Sequence, residues 1–121
     1  MSAAVWLGVM VIGGLGSVAR FMVDRAVARR AARSFPFGTL TVNITGAALL
    51  GFITGLTLNH HAALLAGTAF VGAYTTFSTW MFETQRLSEE RQIRPAVANI
   101  VVSLAVGIAA AAAGQAIAGA L

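Results

Sequence analysis

Apolar residues fill four windows of this chain, about Ala4–Phe21, Phe37–Leu58, Ala62–Phe82 and Pro95–Leu121, and the charged residues crowd into the gaps between them. A bilayer core of roughly 30 Å takes about 20 mostly apolar helical residues per crossing, so each window predicts one transmembrane helix. The pattern predicts an all-α integral membrane protein with four transmembrane helices and no soluble module, a single domain over residues 1–121. The first window lacks the basic lead and cleavage site of a signal peptide and reads as a mature helix. The connector Met22–Pro36 is expected to stay helical up to Pro36, which then suits the first turn of the second helix. Pro95 is expected to open the fourth.

Composition sharpens this reading. A mean hydropathy of +0.82 with 10% charged residues belongs to a membrane protein rather than a soluble domain. Without cysteine there is no disulfide, thiolate nucleophile or thiolate metal site. The formal charge of +4 speaks of topology and not of nucleic acid, since no basic soluble surface with interleaved aromatics exists. Arg20, Arg25, Arg29, Arg30 and Arg33 flank the first connector, and Arg86, Arg91 and Arg94 lie in the third. With four spans they share one membrane face, while both termini and the "TLNHH" loop carry no Lys or Arg. The positive-inside rule then places loops one and three in the cytoplasm of a multi-pass cell-membrane protein. His60 and His61 are adjacent, too few to make a metal site, and read as interfacial loop residues.

Polar groups in hydrocarbon are costly and face a partner helix or a cavity. Thr39 and Asn43 sit four apart on one face of the second window. In the fourth, Asn99, Ser103, Gly107, Ala111 and Gln115 recur every four residues, which is either helix glue or a donor track beside a pore. In the third, "VGAYTTFSTW" places Thr75, Thr76, Ser78 and Thr79 on no single narrow face. Their hydroxyls can bond carbonyls one turn back and bend the helix. A full break would release carbonyls suited to a hard cation such as Na⁺. Phe77 and Trp80 share a face, and their electropositive ring edges, with the Trp80 indole N–H, could meet an anion. No enzyme constellation is present: Asp24, Glu83, Glu89 and Glu90 all lie at span ends or in connectors.

"GTLTVNITG" (Gly38–Gly46) followed by "VGAYTTFSTW" (Val71–Trp80), with "GSVARF" closing the first span, resembles the Fluc/CrcB family of fluoride channels along the whole chain. The resemblance implies a fluoride-specific channel that exports the ion passively from the cytoplasm. It implies antiparallel subunits of dual-topology type forming two pores, and a structural Na⁺ at the dimer centre. Gly72 and Thr75 would offer carbonyls to that Na⁺. Asn43 would donate to fluoride, Phe77 and Trp80 would form an aromatic box, and Ser78 and Thr79 would add hydroxyls. Thr39, Asn99 and Ser103 would belong to the polar path, and Arg20 would draw anions to its mouth. Trp80 stands where the family usually has phenylalanine, Asn99 where better-known members have tyrosine, and Gly107 where serine is common.

Eight arginines against none is a strong bias for a dual-topology chain. The expectation is a fixed orientation, with an antiparallel dimer formed either with an oppositely oriented paralogue or, if the bias is tolerated, with itself. Two other classes compete: a small four-span proton-coupled drug exporter, which wants an embedded acid that span one lacks, and a non-transporting membrane assembly subunit.

Overall fold

The computed structural model describes residues 1–121 as helices joined by short connections, with no strand. The helices are α1 (Ala3–Arg30), α2 (Phe37–Gly55), α3 (His60–Ala63), a π-helical segment π1 (Leu64–Val71), α4 (Gly72–Tyr74), α5 (Ser78–Glu89) and α6 (Ile93–Gly119). Three of them, α1, α2 and α6, are long and apolar enough to cross a membrane.

The expected first span continues past Phe21 through the arginine-rich connector and stops at Arg30, short of Pro36. Ala31 leaves the helical region, and Pro36 stands just before α2 rather than inside its first turn. The fourth helix begins at Ile93, so Pro95 lies within its first turn, where a missing N–H costs nothing. His60 and His61 fall in the one-turn α3, exposed, with the Asn59 side chain accepting from Ala62 N–H at 2.9 Å.

The expected third window is where the structure departs most from a simple span. It comprises α3, π1 and α4, then a gap, then α5. The wide π turns bring the Gly72 N–H back to Gly67 O, five residues earlier. Thr75 is extended, at φ −84° and ψ 162°, and helix resumes only at Ser78.

α2 packs along α6, α1 lies against α2, π1 and α4, and α5 leans on α6. The α2–α6 crossing is as close as glycine permits. A Cβ on Gly51 would land on the Ala111 carbonyl, and one on Gly114 would land on the Ala48 carbonyl. The two arginine-bearing connectors meet at one end of the bundle: Arg86 Nη2 donates to Ser34 O at 2.9 Å, and Ser34 Oγ donates to Gln92 Oε1 at 3.0 Å.

Candidate functional site

The gap between α4 and α5 is held open by one side chain from α2. Thr76 N–H donates to Asn43 Oδ1 at 2.8 Å, and Asn43 Nδ2 donates to Thr76 O at 2.9 Å. A primary amide pairs here with a peptide group as a second peptide would, satisfying both backbone groups of Thr76. Asn43 can do this because α2 is continuous and presents it at the level of the break. One Nδ2 hydrogen remains free.

The hydroxyls around the gap take separate tasks. Thr75 Oγ1 donates to Val71 O at 2.9 Å, closing the last turn before the gap. Thr76 Oγ1 accepts from Thr79 N–H at 3.2 Å and so caps the start of α5, with Ser78 Oγ 3.4 Å away. Because Asn43 claims the Thr76 N–H, Gly72 O has no backbone donor, and Thr75 O has none either. Unclaimed carbonyl oxygens are the ligand type a hard cation takes.

Two recesses flank Thr76, which lines both. An open groove of about 410 Å³ runs between α2, the break and α6, and Asn43, Thr75, Phe77, Trp80, Ser103 and Gly107 line it. A smaller one of about 220 Å³ is lined mainly by polar residues, Ser17, Arg20, Asp24, Thr39 and Thr79 among them. It lies beside the second half of α1, where Gly38 lets Asp24 approach α2. A third groove of about 540 Å³ shares Leu50, Val71 and Thr75 with the first and also includes Gly72.

Phe77 and Trp80 meet edge to face, with ring centroids 5.7 Å apart and planes at 85°. Phe77 is 70% exposed and carries little packing. The Trp80 indole N–H, read from the sequence as a donor for an anion, is already engaged: it donates to the Asn99 carbonyl at 3.0 Å. Asn99 is 1% exposed and lies behind Trp80, lining neither groove. Its Nδ2 donates to Thr84 Oγ1 at 2.9 Å. Ser103, one turn further along α6, is 9% exposed, and its hydroxyl has no partner.

Residues 7–115 match the family described as CrcB-like protein, Camphor Resistance (CrcB). The chain belongs to the CrcB family. It is 71% identical over 115 residues to a Mycobacterium tuberculosis protein named Fluoride-specific ion channel FluC 2, covering 95% of this chain and 91% of that one. A Mycolicibacterium paratuberculosis protein of the same name is 72% identical over 114 residues, covering 94% and 93%. Fluoride-specific ion channel FluC 1 of Leifsonia xyli is 42% identical over 115 residues, covering 92% and 84%. This CrcB chain is a membrane protein, and its relatives bear channel names rather than enzyme names.

Among the residues singled out from the sequence, the fold of this CrcB chain gathers Asn43, Phe77, Trp80 and Ser103 on one groove and Arg20, Thr39 and Thr79 on the other. Ser78 and Asn99 line neither. Thr76, named from the sequence only as one of four hydroxyls in the third window, has the role that was not foreseen. It is pinned by Asn43, caps α5 and lines both recesses. Its signal lay in the "TTFST" run, where adjacent threonines gave no hint of which one would bear the break.

Proposed function

We propose that this chain is a fluoride-specific ion channel that lets fluoride leave the cytoplasm passively, lowering its toxicity. The observation that carries the reading is the Asn43–Thr76 clamp, which holds a helix break open between a polar recess and a groove edged by aromatic rings. The names of relatives at 71% and 42% identity support it.

Fluoride is small and tightly hydrated, so a narrow path must replace its water with donors that bear no full charge. The free Nδ2 hydrogen of Asn43, the Ser103 hydroxyl and the ring edges of Phe77 and Trp80 supply such groups in sequence. Arg20 lies in the polar recess, where its charge attracts an anion, and Thr39 and Thr79 share that recess. Ser78 and Asn99 contribute indirectly, the one beside the α5 cap and the other behind Trp80. Conduction needs binding strong enough to admit the ion and weak enough to release it, which uncharged donors provide.

The same reading makes residues 1–121 one four-span channel domain in the cell membrane. Its third span is the segmented stretch from α3 to α5. Antiparallel dimerisation would bring two breaks together, and the unclaimed carbonyls of Gly72 and Thr75 fit a structural Na⁺ held there. That ion would supply fixed positive charge at the dimer centre. Loops one and three face the cytoplasm, a placement supported by the Arg86–Ser34 bond that holds both arginine-bearing connectors at one end. The partner is then an oppositely oriented paralogue, or this chain itself if the bias is overridden.

Fluoride efflux from proteoliposomes, read with an electrode and compared with chloride, tests the function. Efflux of fluoride but not chloride is expected, from the chain alone or reconstituted with a paralogue. Absence of fluoride flux in both preparations removes the channel reading. A cysteine placed in a C-terminal tag tests orientation. Labelling only from outside intact cells is expected, and labelling from both sides refutes the fixed topology.

A further inference from the structure

α1 carries a continuous row of exposed side chains. Val11, Leu15, Val18, Met22, Arg25 and Arg29 follow one another at alternating spacings of four and three, which keeps them within about 80° of one helix face. The first four are 55–63% exposed, and both arginines are exposed as well. On a membrane-spanning helix, apolar side chains that pack against no protein meet lipid acyl chains. The row therefore runs from the acyl region straight into two guanidinium groups.

Helix length sets their depth. The 28 residues of α1 extend about 42 Å at 1.5 Å per residue. That is the thickness of a bilayer with its headgroups, whereas the hydrocarbon alone is roughly 30 Å. Trp6 is exposed and suits one interface. Arg25 follows about 28 Å further along the axis, one hydrocarbon thickness away, and so reaches the other interface. Arg29 lies one turn beyond, about 6 Å deeper into the headgroup layer. The Arg25 guanidinium leans over the Phe21 ring, 5.5 Å from its centroid, which holds it toward the lipid side.

The protein supplies neither group with an anion. Of the eight arginines, only Arg86 has its guanidinium hydrogen-bonded or ion-paired. Asp24, the one acid on α1, lies about 140° round the helix from the middle of the row, and its carboxylate approaches α2 at Gly38. Glu90 pairs with Arg86, and Glu89 accepts from Gln85. A second copy of the chain does not change this. In the same orientation it brings more arginines, and in the opposite one it brings an end without Asp or Glu. Lipid phosphate is the anion that remains at this depth, and guanidinium groups bind phosphate through paired, charge-assisted hydrogen bonds.

We infer that Arg25 and Arg29 form a binding site for an acidic phospholipid, with its phosphate held between the two guanidinium groups and its acyl chains lying along Met22 and Val18. Net charge selects the lipid class. A zwitterionic headgroup brings its own cation, which the exposed Arg30 and Arg33 repel. The site is separate from the polar recess, where Arg20 stands on another face of the same helix.

Native mass spectrometry of the full chain in detergent, with phosphatidylglycerol or phosphatidylcholine added, tests this. Phosphatidylglycerol should bind roughly tenfold more tightly than phosphatidylcholine. Arg25→Gln combined with Arg29→Gln should weaken phosphatidylglycerol binding roughly tenfold, the order expected for loss of charge-assisted bonds to a phosphate. Arg91→Gln combined with Arg94→Gln removes the same charge from the other arginine-bearing connector and should alter binding less than about twofold. Equal losses in the two variants, or equal binding of the two lipids, overturn the proposal. If the first double variant fails to fold, Arg29→Gln alone keeps seven arginines. It should weaken binding roughly threefold, and an unchanged affinity overturns the site. Thermal unfolding of the native chain separates lipid from free anion. The midpoint should rise with phosphatidylglycerol and stay unchanged with inorganic phosphate at the same concentration, and an equal rise with both overturns the lipid assignment.

Discussion

Along α2 and α6 the chain packs backbone against backbone, whereas between Gly72 and Ser78 it gives up the backbone ladder and replaces it with side chains. Gly51 and Gly114 let each helix touch the other's carbonyls, and neither helix is interrupted. At the gap, Asn43 stands in for a missing turn and Thr76 for a missing cap. The two regions depend on each other. A side-chain amide can replace a peptide partner only if its own backbone is immobile, and the tight α2–α6 pair provides that immobility. A membrane protein tolerates non-helical backbone at depth only where protein or a cavity satisfies it, and here both are present.

The comparison can be broken first from the rigid side. Gly114→Leu would drive a side chain into the Ala48 carbonyl, a backbone atom with no freedom to retreat. Overpacking of this kind costs about 1–3 kcal/mol or more, and loss of the monodisperse peak in size-exclusion chromatography is expected. Gly14→Ala, with nothing within 4 Å of the added methyl, should run as the native chain does. Next comes the clamp. Asn43→Ala leaves the Thr76 N–H and carbonyl unpaired, each at a cost of about 1–3 kcal/mol. The protein should still elute as folded, because the glycine contacts between α2 and α6 are untouched. Fluoride efflux should fall ~100-fold, as a 2.7 kcal/mol loss implies.

Smaller effects sharpen the contrast. Phe77→Ile should leave the elution profile and thermal stability within about 0.5 kcal/mol of native, since an exposed side chain anchors little. Efflux should drop roughly tenfold as an electropositive ring edge is lost. Unchanged flux would remove the aromatic element from the pathway. Smallest is Thr54→Ala, where the hydroxyl only returns to Gly51 O at 2.9 Å. Flux and midpoint of thermal unfolding should both stay within measurement error, the change being worth less than about 0.5 kcal/mol.

Much of the architecture was legible along the chain because membrane insertion is governed by local composition. Windows of apolar residues near 20 long predict helices regardless of what they pack against. The charge map placed both arginine-bearing connectors on one face, and the Arg86–Ser34 bond holds them at one end of the bundle. The break was legible too, since four hydroxyl residues and a glycine between Gly72 and Thr79 contradict a continuous span. The helical course of the first connector was legible because arginine and alanine are good helix formers, although the helix ends at Arg30 and not at Pro36, so the bilayer's edge is not the helix's edge. The π turns of Leu64–Val71 had no local signal, since ordinary apolar residues serve either helix type.

What the amino-acid order determined by itself was the number of apolar windows, the lopsided charge, the site of the break and the family to which the motifs belong. Each depends on neighbours along the chain, on local composition or on residue identity. What only the tertiary structure decided was partnership: that Asn43 reaches Thr76 and not Thr75, that Asn99 lies behind Trp80, and that the indole N–H takes the Asn99 carbonyl. Those pairings span 33 residues in one case and 19 in another. They are set by how closely α2, α5 and α6 approach one another, which no local pattern records.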